Sequence, residues 1–131
     1  MYQNFSNNIA VSIKTNFEER VIDTKNDTLI WHYTITIKNS SDMCIRLKSI
    51  EFSAVNEFGE NNNHLSESFV DKNVIVKPDS EITRCGIIAT ENHSSIVFGK
   101  ILAFTELDED ITIEIPTFSL DSPYYYYNTI N

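Results

Sequence analysis

The segment TLIWHYTITIK, residues 28–38, decides the fold, because an apolar side chain stands at every second position along it. Successive side chains of an extended strand point to opposite faces, so this alternation places one face in a core and leaves the other to water. Such a division is typical of an antiparallel sheet. The residues of the apolar face are Leu29, Trp31, Tyr33, Ile35 and Ile37.

The same period of two recurs on both sides of this segment, and turn-forming clusters such as residues 39–42 separate the repeats. No stretch of amphipathic helical periodicity competes with it. The chain is therefore predicted to be all-β, a sandwich of seven or eight antiparallel strands. The further alternating segments are residues 9–14, 43–58, 73–77, 81–88, 95–106 and 111–118.

Irregularities in the alternation predict local features of these strands. Within residues 43–58 the apolar positions change parity, which predicts a β-bulge or a strand that crosses between sheets. Residues 95–106 are apolar on both parities, which favours a central strand covered on both faces, or a short strand at a sheet switch. Pro116 predicts that its strand lies at an edge or is bulged there. The charged residues 15–27 are interpreted as a loop.

Length, charge and cysteine content narrow the class of protein. The chain has 131 residues, which fits one domain with a full core, and a net charge of −9. That charge argues against binding nucleic acid and against adsorption to an anionic membrane. No run approaches the ~18 apolar residues of a membrane span, and no secretory leader is visible, so a cytoplasmic protein is expected. Cys44 and Cys85 are predicted to be free, buried thiols.

Two segments go beyond a generic sandwich: WHYTITIKN, residues 31–39, and IEIPTFSLDSP, residues 113–123. Together they resemble the ApaG family of small bacterial proteins, and the opening VSIKTNF, residues 11–17, resembles the first strand of that family. The resemblance implies a fibronectin type III-like or immunoglobulin-like sandwich over residues 9–120. Residues 1–8 are then an N-terminal tail, and residues 121–131 are a Tyr-rich C-terminal tail.

What the resemblance implies about function is less uniform. Family members have been linked to cobalt and magnesium homeostasis and suspected of binding nucleotides or pyrophosphate, and the eukaryotic versions look like protein-interaction modules. Many members carry a G-x-G-x-x-G loop, whose glycine positions fall here at Ser66, Ser68 and Asp71. The Cβ atoms at these positions restrict the backbone, and the carboxylate of Asp71 repels an anion. Residues 64–73 are therefore interpreted as a solvated connection or an edge strand, with ligand contact through the serine hydroxyls as the other possibility.

The residue patterns that would carry chemistry are weak. The three histidines have no metal-binding spacing, and residues 106–110, although acidic, lack a calcium-loop pattern and are interpreted as a soluble turn. No serine stands in a G-x-S-x-G setting, and Cys85 lies in an apolar strand where burial makes a thiol inert. We therefore expect no enzyme activity, no cofactor and no metal site.

The sequence thus predicts a non-catalytic ApaG-like binding module that acts through contacts with a protein partner. The alternative is a module that binds nucleotide or pyrophosphate through the 66–71 loop. Four consecutive tyrosines near the C-terminus could lie on the sheet or form an exposed partner surface. The residues predicted to contact a ligand or partner are Ser66, Ser68, Asp71, Lys72, Tyr124, Tyr125, Tyr126 and Tyr127.

Overall fold

The computed structural model describes residues 2–6, 8–22, 27–91 and 93–123, and within these it describes residues 2–6, 27 and 62–64 without their side chains. The described part of the chain is built from strands, and the predicted all-β sandwich is confirmed. No described helix could cross a membrane. The strands are β1 Tyr2–Ser6, β2 Ile9–Ile22, β3 Asp27–Asn39, β4 Ile45–Asn56, β5 Asn61–Ser68, β6 Ile75–Val76, β7 Ser80–Thr90, β8 Ser94–Thr105 and β9 Asp110–Asp121.

The strands form two antiparallel sheets. The first sheet has the order β1-β2-β3-β7, and the second has the order β5-β4-β8-β9, with the two-residue β6 also paired to β4. The arrangement β2-β3-β7 against β5-β4-β8-β9 corresponds to the A-B-E and C′-C-F-G strands of an immunoglobulin-like or fibronectin type III-like sandwich. β1, which the sequence predicts to be part of a tail, pairs with β2; the predicted domain bounds stay a prediction.

The decisive segment lies in β3, the strand between β2 and β7. Its apolar face is buried, as the alternation predicts, and faces the inner side chains of the second sheet. Aromatic rings join the sheets at this level: Tyr33 packs edge-on against Phe52 at 5.2 Å between ring centroids, and Phe52 meets Phe118 at 6.1 Å. The core is thus a double layer of interdigitating side chains.

One prediction about β2 is wrong. Residues 15–22, interpreted as part of a loop, continue β2 and pair with β3 through a bulge between Phe17 and Glu19. Phe17 packs edge-on against Trp31 at 5.1 Å, so the bulge keeps an aromatic contact while the charged side chains face water. Charge on one face does not prevent this pairing, because β3 is also paired with β7 there and keeps Leu29 and Trp31 buried on the other face.

Two predicted irregularities are confirmed. The register between β4 and β8 shifts between Leu47 and Ser49, which is the bulge expected from the change of parity. β9 lies at an edge of its sheet, and its register with β8 shifts between Val97 and Gly99, opposite the segment that holds Pro116. A proline is tolerated there because the ladder is already interrupted.

Asn39, at the end of β3, is fully buried and ties three segments together. Its Nδ2 donates to the carbonyl oxygens of Met43 at 2.8 Å and Val76 at 3.0 Å. Its Oδ1 accepts from the backbone amide of Ser41 at 3.0 Å and from the Ser41 hydroxyl at 2.6 Å. Because the donors and the acceptor of this buried amide all have partners, Asn39 fixes the turn into β4 and anchors β6.

Candidate functional site

Residues 64–73 form an edge of the second sheet and the turn that follows it. Through Ser68 the segment belongs to β5, which among the described strands pairs with β4 alone, so the edge-strand interpretation is confirmed for this part. The turn is fastened to the bulge in β4: the Phe69 amide donates to the Lys48 carbonyl oxygen, and the Leu47 amide donates to the Val74 carbonyl oxygen, each at 2.9 Å. The turn is therefore held along the edge of β4, between β5 and β6.

The predicted contact residues of this segment are spread along it. Ser66 and Ser68 are exposed on β5 opposite Glu51 and Ser49, whereas Asp71 is exposed on the turn. None of Ser66, Ser68 and Asp71 has a positive φ; the positive φ of the turn, 47°, belongs to Asn73. The backbone therefore does not require glycine at the three positions where the family motif would place it.

The turn also uses its own amides. Besides the Phe69 amide, the Val70 amide donates to the Ser68 hydroxyl oxygen at 3.4 Å, and the Lys72 amide donates to the Phe69 carbonyl oxygen at 3.0 Å. A phosphate-binding nest needs successive N–H groups directed at the ligand. Three amides between residues 69 and 72 instead have partners within the protein, so the segment is not preorganised to cradle an anion.

Phe69 closes the flank of the sandwich between the edge strands β5 and β7. Its side chain is buried, and two cations lie over its ring, the Arg84 guanidinium at 5.1 Å and the Lys72 ammonium at 5.9 Å from the centroid. Arg84 also pairs with Glu67 across the two sheets at 3.3 Å. Glu67 thus serves a structural role on the inner side of β5, away from the exposed Ser66 and Ser68.

A polar cluster occupies the same flank. Tyr33 reaches it from β3, and burial together with the nearby Glu67 carboxylate raises the pKa of Tyr33 above its ordinary value of 10.0. The opposite residue on β7 is Gly86, and a Cβ there would lie 2.4 Å from the Tyr33 ring carbon Cζ. Glycine is therefore needed for the close approach of the phenol to the β7 backbone.

On the outer face of the second sheet the same turn borders a groove of about 310 Å³, which we call the basic groove. Phe104, half-buried on β8, forms its platform, with the Arg46 guanidinium 5.1 Å and the Lys48 ammonium 5.4 Å from the ring centroid. The lining contains these two cations and no carboxylate. The lining of the basic groove includes Arg46, Lys48, Phe69, Val70, Asn73 and Phe104.

The groove lies at one end of a row of side chains on the outer face of β8, which we call the outer row. The prediction that β8 is central is confirmed, but in the part of the chain that the structure describes its outer face is not covered: Ile96 and Phe98 are 49% and 46% exposed. Val55 on β4 lies directly opposite Ile96 and widens the apolar end. The outer row consists of Ile96, Phe98, Lys100, Leu102 and Phe104.

The groups considered for metal or thiol chemistry have other roles. Glu106 accepts a hydrogen bond from the Cys44 amide at 2.9 Å, and Asp108 lies 3.9 Å from Arg46. Among the described residues no group of three His, Cys, Asp or Glu side chains is placed to hold a metal ion. Both cysteines are free, but Cys85 is exposed, contrary to the prediction, because odd-numbered residues of β7 point to the outer face.

The two surfaces on the second sheet combine residues that the sequence analysis did not select. Arg46 and Lys48 share a parity with each other, and Phe104 lies directly opposite Arg46 on β8, so only the strand register brings them together. The signal in the sequence was that β8 carries apolar residues at both odd and even positions, although this pattern was interpreted as burial on both faces. Of the selected residues, Lys72 lies beside the groove; Tyr124 to Tyr127 fall outside the described residues.

Comparisons with known proteins agree on one family name. Protein ApaG of Bradyrhizobium diazoefficiens is 26% identical over 123 residues, which cover 94% of this chain and 95% of that protein. Protein ApaG of Agrobacterium fabrum is 26% identical over the same shares of both chains. No family model matches the chain. The resemblance predicted from the strand motifs is confirmed by these relatives.

Solved structures show the same fold. A structural-genomics target superposes with a TM-score of 0.81 at 20% identity and covers 89% of both chains. The structure of an ApaA protein from Bordetella pertussis superposes with a TM-score of 0.71 at 13% identity, and the match covers 88% of this chain and 94% of that chain. At such identities the likeness concerns the sandwich alone.

Proposed function

We propose that this chain, which is similar to ApaG proteins but lacks a glycine-rich loop at residues 66–71, is a non-catalytic module that binds another protein. The observation that carries the proposal is the uncovered apolar end of the outer row. Ile96 and Phe98 are about half exposed, and they lie on a central strand of a sheet rather than at the tip of a loop. Clustered apolar side chains on a rigid surface are typical of protein interaction sites.

The rigidity of this surface supports the proposal. Ile96 and Phe98 alternate with Ser95 and Val97, which are buried in the sandwich, so the backbone that presents the outer row is fixed by the core. β8 pairs with β4 on one side and β9 on the other along its whole length. A partner would therefore bind a surface that is already ordered, which lowers the entropic cost of association.

The alternative, a nucleotide or pyrophosphate module that uses the 66–71 loop, has less support. The Phe69, Val70 and Lys72 amides already have partners, and Ser66, Ser68 and Asp71 follow an ordinary backbone path. In our proposal, any role in Co²⁺ and Mg²⁺ homeostasis is exerted through the bound partner, and this chain itself holds no ion.

The proposal is tested by affinity capture from a lysate of the source organism, followed by mass spectrometry. The wild-type chain is compared with Phe98→Glu and with Ile87→Glu, a matched control that is 57% exposed on the first sheet. We expect at least one captured protein to be lost with Phe98→Glu and retained with Ile87→Glu. Identical captured sets for all three chains would overturn the proposal.

A further inference from the structure

We propose that the basic groove binds the carboxylate side chains of an acidic peptide segment that belongs to the protein partner. The inference rests on the proposed function, because the groove continues the outer row of β8 from Phe98 through Leu102 to Phe104. A partner that covers Ile96 and Phe98 would reach the groove along the same face of the same strand.

The first observation is the concentration of positive charge on one aromatic ring. Arg46 and Lys48 both lie within 5.4 Å of the Phe104 centroid, although like charges held together repel each other. Within the described part of the chain, Lys48 has no carboxylate partner within the 4.0 Å salt-bridge distance. Among the described carboxylates, Arg46 pairs with Asp108 alone, at 3.9 Å and with both side chains well exposed. An added carboxylate would relieve the repulsion.

The second observation is the contrast between the groove and the rest of the molecule. The chain carries a net charge of −9, yet the lining of the groove holds two cations and no carboxylate. At physiological ionic strength the Debye length is ~8 Å, so the charges close to the groove set the local field there. Lys72, whose ammonium lies 5.9 Å from the Phe69 ring centroid, adds a third cation near the groove.

The third observation selects a peptide rather than a phosphate. Val70, 69% exposed, and the ring of Phe104 give the groove apolar walls, which suit an aliphatic or aromatic side chain next to a carboxylate. The groove offers no nest of successive backbone amides for a phosphate, because the amides of Phe69, Val70 and Lys72 are already engaged. The groove therefore fits Asp or Glu beside Leu, Ile or Phe in an extended segment.

The experiment selects ligands for the immobilised full chain from a random peptide library displayed on phage. We expect enrichment of sequences that place Asp or Glu next to an apolar residue. A selected peptide is then synthesised and its affinity measured for the wild type, for Lys48→Met and for Lys38→Met, which removes the same charge from an exposed position on the first sheet. We expect about a tenfold loss for Lys48→Met only, the scale of one charge-assisted hydrogen bond.

Several results would overturn the proposal. These are the absence of acidic enrichment, equal losses for Lys48→Met and Lys38→Met, and full affinity of the peptide after its acidic residues are changed to amides. Displacement of the peptide by inorganic pyrophosphate that also stabilises the wild type, but not Lys48→Met, would make the groove a phosphate site instead. Urea midpoints of all variants confirm folding, since exposed substitutions normally change stability by less than about 0.5 kcal/mol.

The affinity-capture experiment separates this inference from the proposed function. A captured protein that is lost with Phe98→Glu but retained with Lys48→Met keeps the outer row as the interaction surface and overturns the role of the basic groove. Capture that neither substitution changes overturns both.

Discussion

Gly86→Ala should destabilise the protein although it adds a single methyl group. The new Cβ would lie 2.4 Å from both Cζ and the hydroxyl oxygen of Tyr33, whereas carbon atoms normally pack at about 3.5–4.0 Å, so the ring must move by about 1 Å. Tyr33 is buried and packed edge-on against Phe52 at 5.2 Å, so a displaced ring disturbs this aromatic contact in the core.

The expected magnitude combines two opposing effects. Overpacking a core costs about 1–3 kcal/mol, and replacing glycine with alanine lowers the entropy of the unfolded chain by an amount worth about 0.4–1 kcal/mol. The net loss should be about 1–2 kcal/mol. For a domain of this size that corresponds to a fall in Tm of roughly 4–8 °C.

Urea unfolding followed by circular dichroism measures the loss, and a second substitution identifies its cause. In a Tyr33→Val background the added Cβ meets empty space, so Gly86→Ala should become neutral or slightly stabilising. Tyr33→Phe should not rescue, because Cζ stays in place. Cys85→Ala, exposed on the same strand, is the control. An equal loss in the Tyr33→Val background would refute the reasoning.

Three further predictions concern the core, its pH dependence and the loop. Asn39→Ala should lower the free energy of unfolding by about 2–3 kcal/mol, because buried hydrogen-bonding groups lose their partners, whereas the exposed Asn16→Ala should have almost no effect on the urea midpoint. The pKa of Tyr33 is raised in the folded state, so the contribution of Tyr33 to the free energy of unfolding is complete below pH 10.0 and is lost as pH rises through the higher folded pKa. Urea titrations at alkaline pH should therefore show that the free energy of unfolding falls more steeply for the wild type than for Tyr33→Phe. ATP, pyrophosphate, Mg²⁺ and Co²⁺ should each leave Tm unchanged, since a ligand at a hundred times its Kd would add ~2.7 kcal/mol, and a clear shift that Asp71→Lys changes would support the loop alternative instead.

The part of the fold that could be predicted is the part that alternation controls. The apolar face of β3 and the bulge between Leu47 and Ser49 both follow from side-chain parity, which is a local property of an extended chain. The extension of β2 through Ile22 could not be predicted in the same way, because its pairing with β3 outweighs a charged composition. Cys85 was misassigned for a related reason: an apolar neighbourhood in sequence does not reveal which face of an edge strand a residue occupies.

The candidate site was harder to predict than the fold, because it depends on register between strands that are far apart in sequence. Arg46 and Phe104 are direct neighbours across the β4–β8 pair, and nothing local to either residue indicates this. Glu67 illustrates the same difficulty, since its charge is directed to Arg84 on the other sheet rather than to a ligand. Sequence reasoning selected residues 64–73 through the family resemblance, and it did not select the adjoining face of β8.

The alternation within β8 separates two kinds of selective pressure along one strand. Odd-numbered residues such as Val97 and Ile101 are buried and are constrained by folding, whereas even-numbered residues such as Ile96 and Phe98 contribute little to the interior. Substitutions in the even set can therefore accumulate without unfolding the protein. A lineage built on this scaffold could exchange one recognition preference for another while its architecture stays the same, and divergence among related chains should concentrate at every second position of this strand.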